Sequence, residues 1–318
     1  MIYEQIIDVI NKSSKIAVTS HMQPDGDNVG SSLALCLALQ KLGKKAVFIL
    51  DDSIPELFRF LKGAREVEKP SFFAEIDFDL VIAMDCGDLE RLGKVSQFIG
   101  NTKLVNIDHH ISNTKFGEIN LVEENASATA EIAYKLIKSM GIFIDKDIAD
   151  CIYTGIVTDT GMFQYSNTSE ETHSIAGELI IAGVSPSDIF ARIYQNSPKE
   201  KIMLMGEALK SLEFFNHDMV SCISISKAQL ESIAEEDIDT EGIVNLGRDI
   251  AGVEVAIFLK QKEPNVVKVS LRSKCYVNVA IIAKDFGGGG HVRAAGCAIT
   301  GSIESAKQQI LLAIQKQI

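Results

Sequence analysis

Apolar runs alternate with amphipathic segments through the first half of the chain, at the spacing of strands followed by helices. Four short apolar runs predict buried strands, at residues 16–19, 46–50, 79–84 and 103–107. Longer segments predict helices, at residues 30–42, 126–140 and 146–157. Continuous apolar strands alternating with helices are typical of a parallel sheet with helices on both faces. The pattern therefore predicts an α/β domain.

The pattern changes after residue 185. Residues 185–212 have a helical pattern with prolines at the predicted helix starts. Predicted strands at 219–225, 253–260 and 266–272 follow, with helices near 278–286 and 304–316. We therefore predict a catalytic domain over residues 1–185, a helical linker over 186–212 and a smaller α+β domain over 213–318. The acidic stretch 231–241 is interpreted as a solvated loop or helix end.

Composition limits the partners of this chain of 318 residues. Its net charge is −12 and its lysines and arginines are dispersed, whereas long nucleic acid is usually held by a basic face. An anionic substrate must then have its charge met locally, which favours a short substrate over a long duplex. No apolar run approaches the ~18 residues of a membrane span, and the N-terminus lacks the features of a secretory signal. We expect a cytoplasmic protein with no membrane partner.

Four acidic and histidine-bearing segments in the first half share a position near the ends of buried elements. Their candidate ligands are His21, Asp25, Asp27, Asp85, His109 and Asp159. In parallel folds ligands collect beyond the carboxyl ends of the strands, where most of these residues lie. Carboxylates and imidazoles without thiolates suit Mn²⁺ or Mg²⁺ better than a structural zinc ion. Together the segments predict one metal site.

Each segment alone has a second interpretation. Asp25 and Asp27 could instead cap the helix behind them, and Asp85 could form a turn before Gly87. Asp159 lies near a helix end, where a capping role is plausible. The triplet at residues 108–110 is more specific, because three ionisable residues ending a buried strand are costly without a purpose.

Charge arithmetic favours a site for two cations. Asp25, Asp27, Asp85 and Asp159 contribute four negative charges, which match two divalent ions. Two ions about 3.5–4 Å apart suit phosphoester cleavage, because they activate water and stabilise the developing oxyanion. His21 and His109 would complete the coordination, with their other ring nitrogens held by nearby acceptors, for which Asp108 is a candidate.

A glycine run in the second domain predicts a binding element. Glycines 287–290 precede His291 and Arg293, and such a run lets backbone amides approach an anion closely. Gly288, Gly289, Gly290, His291 and Arg293 are therefore candidate substrate contacts. Arg272, at the end of a predicted strand, could reach the same pocket. The alternative is a flexible loop, which the entropic cost of four glycines in a folded segment disfavours.

The ordered motifs resemble the DHH-family phosphoesterases, in the branch of oligoribonucleases and pAp phosphatases called nano-RNases. The resemblance covers nearly the whole chain. Its motifs are His21-x-x-Pro-Asp25-Gly-Asp27, Asp85-Cys-Gly-Asp88, Asp108-His109-His110, Thr158-Asp159-Thr-Gly and Gly-Gly-Gly-Gly290-His291-x-x-Ala-Ala-Gly296.

The resemblance implies a DHH domain, a helical linker and a DHH-associated domain closing over a cleft. It implies two divalent cations, with Mn²⁺ expected and Mg²⁺ or Co²⁺ as alternatives. His21 and Asp25 would hold one ion and Asp27 and His109 the other, with Asp85 and Asp159 shared. His110 and Asp108 would serve catalysis. The glycine run, His291 and Arg272 would bind the nucleotide end away from the metals.

Expected substrates of such a protein are very short RNA, linear dinucleotides such as pApA and 3′-phosphoadenosine 5′-phosphate (pAp), and a homodimer is expected. Within the superfamily, cyclic dinucleotides, pyrophosphate and polyphosphate are alternative substrates. Outside enzymes, a nucleic-acid-binding protein with a vestigial core is conceivable, but the six intact ligand candidates argue against it.

Overall fold

A computed structural model describes residues 2–74, 76–233, 240 and 242–318 of the chain. The chain forms two compact units, Met1–Asn196 and Ser197–Ile318. Their boundary falls inside the predicted linker, between two separate helices. Most of the acidic stretch 231–241 lies outside the described residues.

The first unit is built on a five-stranded sheet of order β2-β1-β3-β4-β5, in which every pair of neighbours is parallel. The strands are β1 Lys15–Ser20, β2 Lys45–Ile49, β3 Leu80–Met84, β4 Lys103–Asp108 and β5 Ile119–Val122. The helices are α1 Ile2–Lys12, α2 Gly26–Lys41, α3 Ser96–Ile99, α4 Thr129–Ser139, α5 Lys146–Asp159, α6 Glu170–Ile181 and α7 Pro186–Tyr194. The predicted α/β architecture is confirmed.

The two faces of this sheet are covered differently. Long helices, α2, α4 and α5 among them, bury one face in the larger core cluster. The other face packs against short helical turns, including the 3₁₀ segment Glu90–Val95, whose Leu92 is fully buried. Every side chain of β3 is buried, which explains its uninterrupted apolar sequence.

Helices α2 and α5 approach so closely that their facing residues have no room for side chains. A Cβ atom added to Gly30 would overlap the carbonyl oxygen of Cys151 and lie 2.9 Å from the amide nitrogen of Gly155. On α5, a Cβ atom at Gly155 would lie 2.8 Å from Asp27 Oδ1. This close packing fixes Asp27, in the first turn of α2, against the end of α5.

We expect Gly30→Ala to lower the free energy of unfolding by about 3 kcal/mol, because the new methyl group meets backbone atoms that cannot rotate away. Gly177→Ala is the matched control, since Gly177 lies within α6 and a Cβ atom there would have no neighbour within 4 Å. That control should be neutral or stabilising. Urea unfolding of both variants checks the difference, and equal stabilities would contradict the close-packing argument.

The second unit has a six-stranded sheet of order β10-β11-β9-β8-β7-β6, antiparallel except between β7 and β8. Its strands are β6 Glu213–Phe215, β7 Val220–Ile225, β8 Val255–Glu263, β9 Val266–Ser273, β10 Gly289–His291 and β11 Ala294–Thr300. Its helices are α8 Lys199–Leu209, α9 Lys227–Ile233, α10 Ile243–Arg248, α11 Val279–Asp285 and α12 Ile303–Ile314. Helices α11 and α12 pack on one face, and α8 and α10 contribute to a core on the other.

The sequence pattern misplaced or missed several elements. Helix α2 begins at Gly26, four residues before the predicted start, because Asp25 caps a polar first turn that has no apolar periodicity. Strand β5 was missed because only one of its four residues is buried. Helices α1, α3, α6 and α10, the short strands β6 and β10 and the seven-residue strand β11 were also missed.

Among the described residues, no single helix is long and apolar enough to cross a membrane. Helices α6 and α7, bent by 107° at the break between them, pass that test only as a pair and only by length and composition.

Candidate metal centre

The candidate site lies where three neighbouring strands end together. In the sheet, Ser20 of β1 pairs with Met84 of β3, and Met84 pairs with Ile107 of β4. The next residues along each strand are His21, Asp85 and Asp108. The parallel register therefore brings the three predicted segments to one edge, where the N-terminal turn of α2 also begins.

One group of possible ligands consists of His21, Asp25 and Asp85. His21 Nε2 lies 3.8 Å from Asp25 Oδ2 and 3.5 Å from Asp85 Oδ2. His21 Nδ1 lies 2.7 Å from the carbonyl oxygen of Met22, which can only accept, so we assign the proton to Nδ1. That hydrogen bond leaves the lone pair of Nε2 facing the two carboxylates, as a metal ligand requires.

Asp25 performs both roles that the sequence left open. Its Oδ1 atom accepts hydrogen bonds from the amides of Asp27 and Asn28, at 3.1 and 3.0 Å, and so caps α2. Its Oδ2 atom faces His21. Capping and a place in the cluster are therefore compatible in one side chain.

The second group consists of Asp27, His109 and Asp159. His109 Nε2 lies 3.9 Å from Asp27 Oδ2 and 3.6 Å from Asp159 Oδ2. Its Nδ1 atom lies 3.2 Å from the carbonyl oxygen of Ala126, which again fixes the proton on Nδ1. Both histidines thus present Nε2 to the carboxylates.

Asp85 lies between the two groups. Its Oδ2 faces His21, while its Oδ1 lies 3.7 Å from His109 Nε2 and accepts a hydrogen bond of 2.9 Å from Thr129 Oγ1. The backbone of Asp85 is left-handed, with φ of 51°, a conformation that Asp tolerates better than most residues. In the described part of the chain Asp85 contacts both groups, whereas Asp159 belongs to the second.

The carboxylates are crowded enough to need positive charge. Asp27 is 1% exposed, and burial with the charges of Asp85 and Asp159 raises its pKa well above the usual range. Burial also raises the pKa of Asp159 to about 7. Burial acts to raise the pKa of Asp85 as well, but when no cation is bound the hydrogen bond from a protonated His21 and the nearby histidine charges outweigh it, so that pKa is lowered.

The donor set therefore fits divalent cations. Four carboxylates and two imidazoles lie together, with the Nε2 atom of each imidazole facing the carboxylates. Backbone amides donate hydrogen bonds to the buried carboxylate of Asp27. The amides of Thr129 and Ala130 donate to Asp27, at 2.6 and 2.9 Å. Oxygen and nitrogen donors of this kind suit Mn²⁺ or Mg²⁺.

His110 forms a third possible ligand group with Asp85 and His109, and its Nδ1 lies 3.6 Å from Asp85 Oδ1. Its Nδ1 donates to Asp108 Oδ1 at 2.8 Å, and Asp108 is fully buried. That hydrogen bond raises the pKa of His110 to about 9, with the charges of Asp85 and Asp108 adding to the effect. With no cation bound, this pKa favours the protonated imidazole, and an imidazole N–H suits a contact with a phosphate oxygen.

Asp108 supports His110 rather than the two metal-facing histidines, which use backbone carbonyls instead. Its other oxygen accepts a hydrogen bond of 2.6 Å from Asn113 Nδ2. The same nitrogen lies 2.8 Å from Asn106 Oδ1, and Asn106 is fully buried. The role of Asn106 was missed, because a single buried amide leaves no pattern in a sequence.

The loop before α4 supplies further contacts that sequence reasoning missed. Buried Glu131 accepts hydrogen bonds from the amide and the hydroxyl of Ser127, at 3.0 and 2.9 Å. This anchors the loop that presents the Ala126 carbonyl to His109 and the Thr129 hydroxyl to Asp85. No clear signal for these contacts was present in the sequence, because Ser127 and Glu131 are four residues apart whereas the residues of a capping box are three apart.

In the second unit, the predicted glycine run forms a hairpin. Strand β10 pairs with β11, and side chains at Gly288 or Gly290 would overlap β11 backbone atoms. Close packing therefore explains two of the four glycines. Gly289 and His291 are exposed. Their binding of substrate stays a prediction.

The two predicted arginines of this unit have different surroundings. Arg272 pairs in register with Ala294, the partner of His291, which places it near the hairpin. Arg293 donates hydrogen bonds to the carbonyl oxygens of Cys275 and Val277, so its guanidinium anchors the loop after β9.

That same loop has a second anchor, which the sequence did not indicate. Glu254, 5% exposed, accepts hydrogen bonds from the three successive amides of residues 275–277.

Comparison with known families now decides the relationship. Residues 15–156 match the N-terminal domain of the DHH family, and residues 225–318 match the DHHA1 domain. The chain is 35% identical, over 95% of its length and 90% of the relative's, to the bifunctional oligoribonuclease and PAP phosphatase NrnA of Thermus thermophilus. The chain belongs to the DHH family.

Other similarities agree. The chain is 29% identical to the NrnA protein of Bacillus subtilis, over 93% of this chain and 92% of that relative. A crystal structure of an exopolyphosphatase-related protein from Bacteroides fragilis superimposes with a TM-score of 0.93 at 29% identity, covering 99% of this chain and 96% of that one.

The predicted membership of the DHH family and the two-domain composition are thus confirmed. Family and relatives together support a hydrolase that acts on phosphoester bonds. The acidic and histidine cluster of this DHH protein is its candidate metal centre.

Proposed function

We propose that this DHH protein is a Mn²⁺-dependent phosphoesterase that hydrolyses very short oligoribonucleotides to mononucleotides and pAp to AMP, using two cations. The observation that carries the proposal is the position of Asp85 between two groups of ligands, each completed by a histidine Nε2. The names of the relatives support oligoribonucleotides and pAp as substrates.

Different residues of the chain would bind the cations and the phosphate. His21, Asp25 and Asp85 would hold one cation, and Asp27, His109, Asp159 and Asp85 the other. Bound cations would supply an activated water and charge stabilisation for the phosphoryl oxygens. His110, oriented by Asp108, would hold a phosphate oxygen at the edge of the cluster. Asp108 and Asn113 keep that imidazole in place.

A preference for short substrates follows from charge. With a net charge of −12 and dispersed lysines and arginines, the sequence indicates no basic track for a long strand. Long-range repulsion contributes little, because interactions between exposed charges are screened beyond about 8 Å at physiological salt. Local contacts at the site must therefore provide the binding energy, and these can serve only a few nucleotides.

We expect kcat/KM to fall steeply between RNA of 2–5 nucleotides and RNA of 24 nucleotides. The measurement is cleavage of 5′-labelled RNA of each length by the purified full chain with Mn²⁺, at low and at physiological salt. Raising the salt should not reverse the order. Comparable kcat/KM values for the 5-mer and the 24-mer would point to a processive nuclease instead.

A second candidate function has one specific observation in its favour. The similarity to an exopolyphosphatase-related protein raises phosphoanhydrides as substrates of the same cluster. A panel of pAp, pApA, a 5-mer RNA, cyclic dinucleotide, pyrophosphate and polyphosphate, each with Mn²⁺ and with EDTA, tests the proposal. Turnover of pAp and pApA well above that of pyrophosphate and polyphosphate supports it, and the reverse order overturns it.

A further inference from the structure

The loop that follows α5 has an unusual backbone close to the metal centre. Helix α5 ends at Asp159, and three consecutive residues after it are left-handed, with φ of 53° at Gly161, 62° at Met162 and 62° at Phe163. Left-handed conformations of residues other than glycine cost energy and persist only where the surroundings enforce them.

Contacts on both sides of the run enforce this conformation. The side-chain amide of Asn167 donates to the carbonyl oxygens of Ser127 and Asp159, at 2.9 and 3.2 Å. The ring of Phe163 stacks on His173 at 5.1 Å between centroids. Met162 and Phe163 also pack against the core of the first unit. The loop is therefore rigidly tied to the cluster through Asp159 and the loop before α4.

One result of this conformation is the placement of Tyr165. Its ring lies so close to Gly161 that a Cβ atom at Gly161 would overlap the ring, and the side chain is nonetheless 49% exposed. Gly161 is two residues beyond Asp159. An aromatic ring is thus held against a residue two positions from the candidate ligand Asp159, with much of its surface open to solvent.

We propose that the Tyr165 ring is the stacking surface for the nucleobase of the nucleotide whose phosphate lies at the metal centre. This rests on the proposed function and names the part of the substrate that the ring recognises. Aromatic side chains bind bases of any sequence through their π faces, and a ring fixed in advance loses little entropy on binding. The strained backbone is explained if it serves to fix this ring.

The experiment compares a substrate that has a base with one that lacks it. KM and kcat are measured with Mn²⁺ for pAp and for ribose 3,5-bisphosphate, using the full chain and its Tyr165→Ala and Tyr165→Phe variants. Tyr165→Ala should raise KM for pAp about 10-fold, which lies within the range of about 5- to 150-fold that stacking of one base typically contributes. The same variant should leave KM for ribose 3,5-bisphosphate unchanged, and Tyr165→Phe should behave as the wild type.

Phe143→Ala is the matched control. Phe143 is 80% exposed and precedes α5, whereas Tyr165 follows it, so the two rings are separated by a helix of 14 residues, about 21 Å long. This control should change neither substrate's KM. Equal losses of Tyr165→Ala on both substrates, or no loss on pAp, would overturn the stacking proposal.

Failure of the proposed function would be recognised separately. If the wild type hydrolyses neither substrate, calorimetric titration of AMP into the full chain with Mn²⁺ decides the inference. Binding of AMP that is about 10-fold weaker in Tyr165→Ala than in Tyr165→Phe supports the stacking surface. Equal affinities, or no binding to the wild type, overturn it.

Discussion

Replacing Asp85 with asparagine is expected to lower kcat/KM for pApA by about 1,000-fold or more. Loss of a residue that only supports a metal ligand typically costs 10- to 100-fold, and Asp85 contacts both ligand groups directly. Asparagine keeps the shape and the acceptor for Thr129 but lacks the negative charge. The variant should therefore fold normally and lose affinity for both cations.

Thermal unfolding separates this effect from misfolding. Asp85→Asn should unfold in EDTA within a few degrees of the wild type, yet lose the rise in Tm that Mn²⁺ gives the wild type. Asp147→Asn is the control, because Asp147 is an exposed carboxylate at the other end of α5. Near wild-type turnover of Asp85→Asn with Mn²⁺ would show that the two-group assignment is wrong.

Replacing His110 with glutamine is expected to lower kcat for pApA by about 100- to 10,000-fold, with a smaller effect on KM. A preorganised donor that stabilises charge developing on an oxygen typically contributes about 100- to 1,000-fold, and a role in proton transfer would contribute up to about 10,000-fold. Asp108 holds His110 outside the two metal-ligand groups built on Nε2 atoms, and glutamine cannot carry its positive charge.

Metal binding distinguishes His110→Gln from Asp85→Asn. His110→Gln should keep the full rise in Tm with Mn²⁺, whereas Asp85→Asn should not. Loss of that rise in Tm in His110→Gln would mean that His110 is a metal ligand. The alternative is specific, because His110 Nδ1 lies 3.6 Å from Asp85 Oδ1. Unchanged kcat would remove His110 from the reaction altogether.

The buried strands were predictable because burial on both faces leaves an uninterrupted apolar run. Strand β3, buried at every residue, is the plainest example. Edge strand β5 has only Leu121 buried and so leaves no such run. The start of α2 was hidden for a different reason, since residues 26–32 are all buried around the site although several are polar.

That the candidate ligands lie close together was predictable, because charged residues at the ends of buried strands are costly without partners and parallel strands end at one edge. Their supporting contacts were not. The carbonyl of Ala126 that orients His109 belongs to a loop whose path depends on Glu131 and Ser127. The hydroxyl of Thr129 reaches Asp85 across 44 residues of sequence. Such contacts depend on tertiary distances, which one sequence does not carry.

The predicted substrate contacts of the second unit show the limit of motif reasoning. The glycine run was interpreted as an anion-binding element, yet overlap with β11 explains Gly288 and Gly290 by packing. Arg293 has an evident structural partner in the loop after β9. A motif identifies a segment, but the role of each residue in the segment depends on what that residue contacts.

One titration tests the central claim, that His21, Asp25, Asp27, Asp85, His109 and Asp159 form a hydrolytic centre for two cations. Mn²⁺ is added in measured equivalents to the metal-free full chain, and the initial rate of pApA hydrolysis is recorded at each step. The account predicts a rate that keeps rising until two equivalents per chain are bound and is then constant. Full activity with one equivalent, or with none, would contradict it.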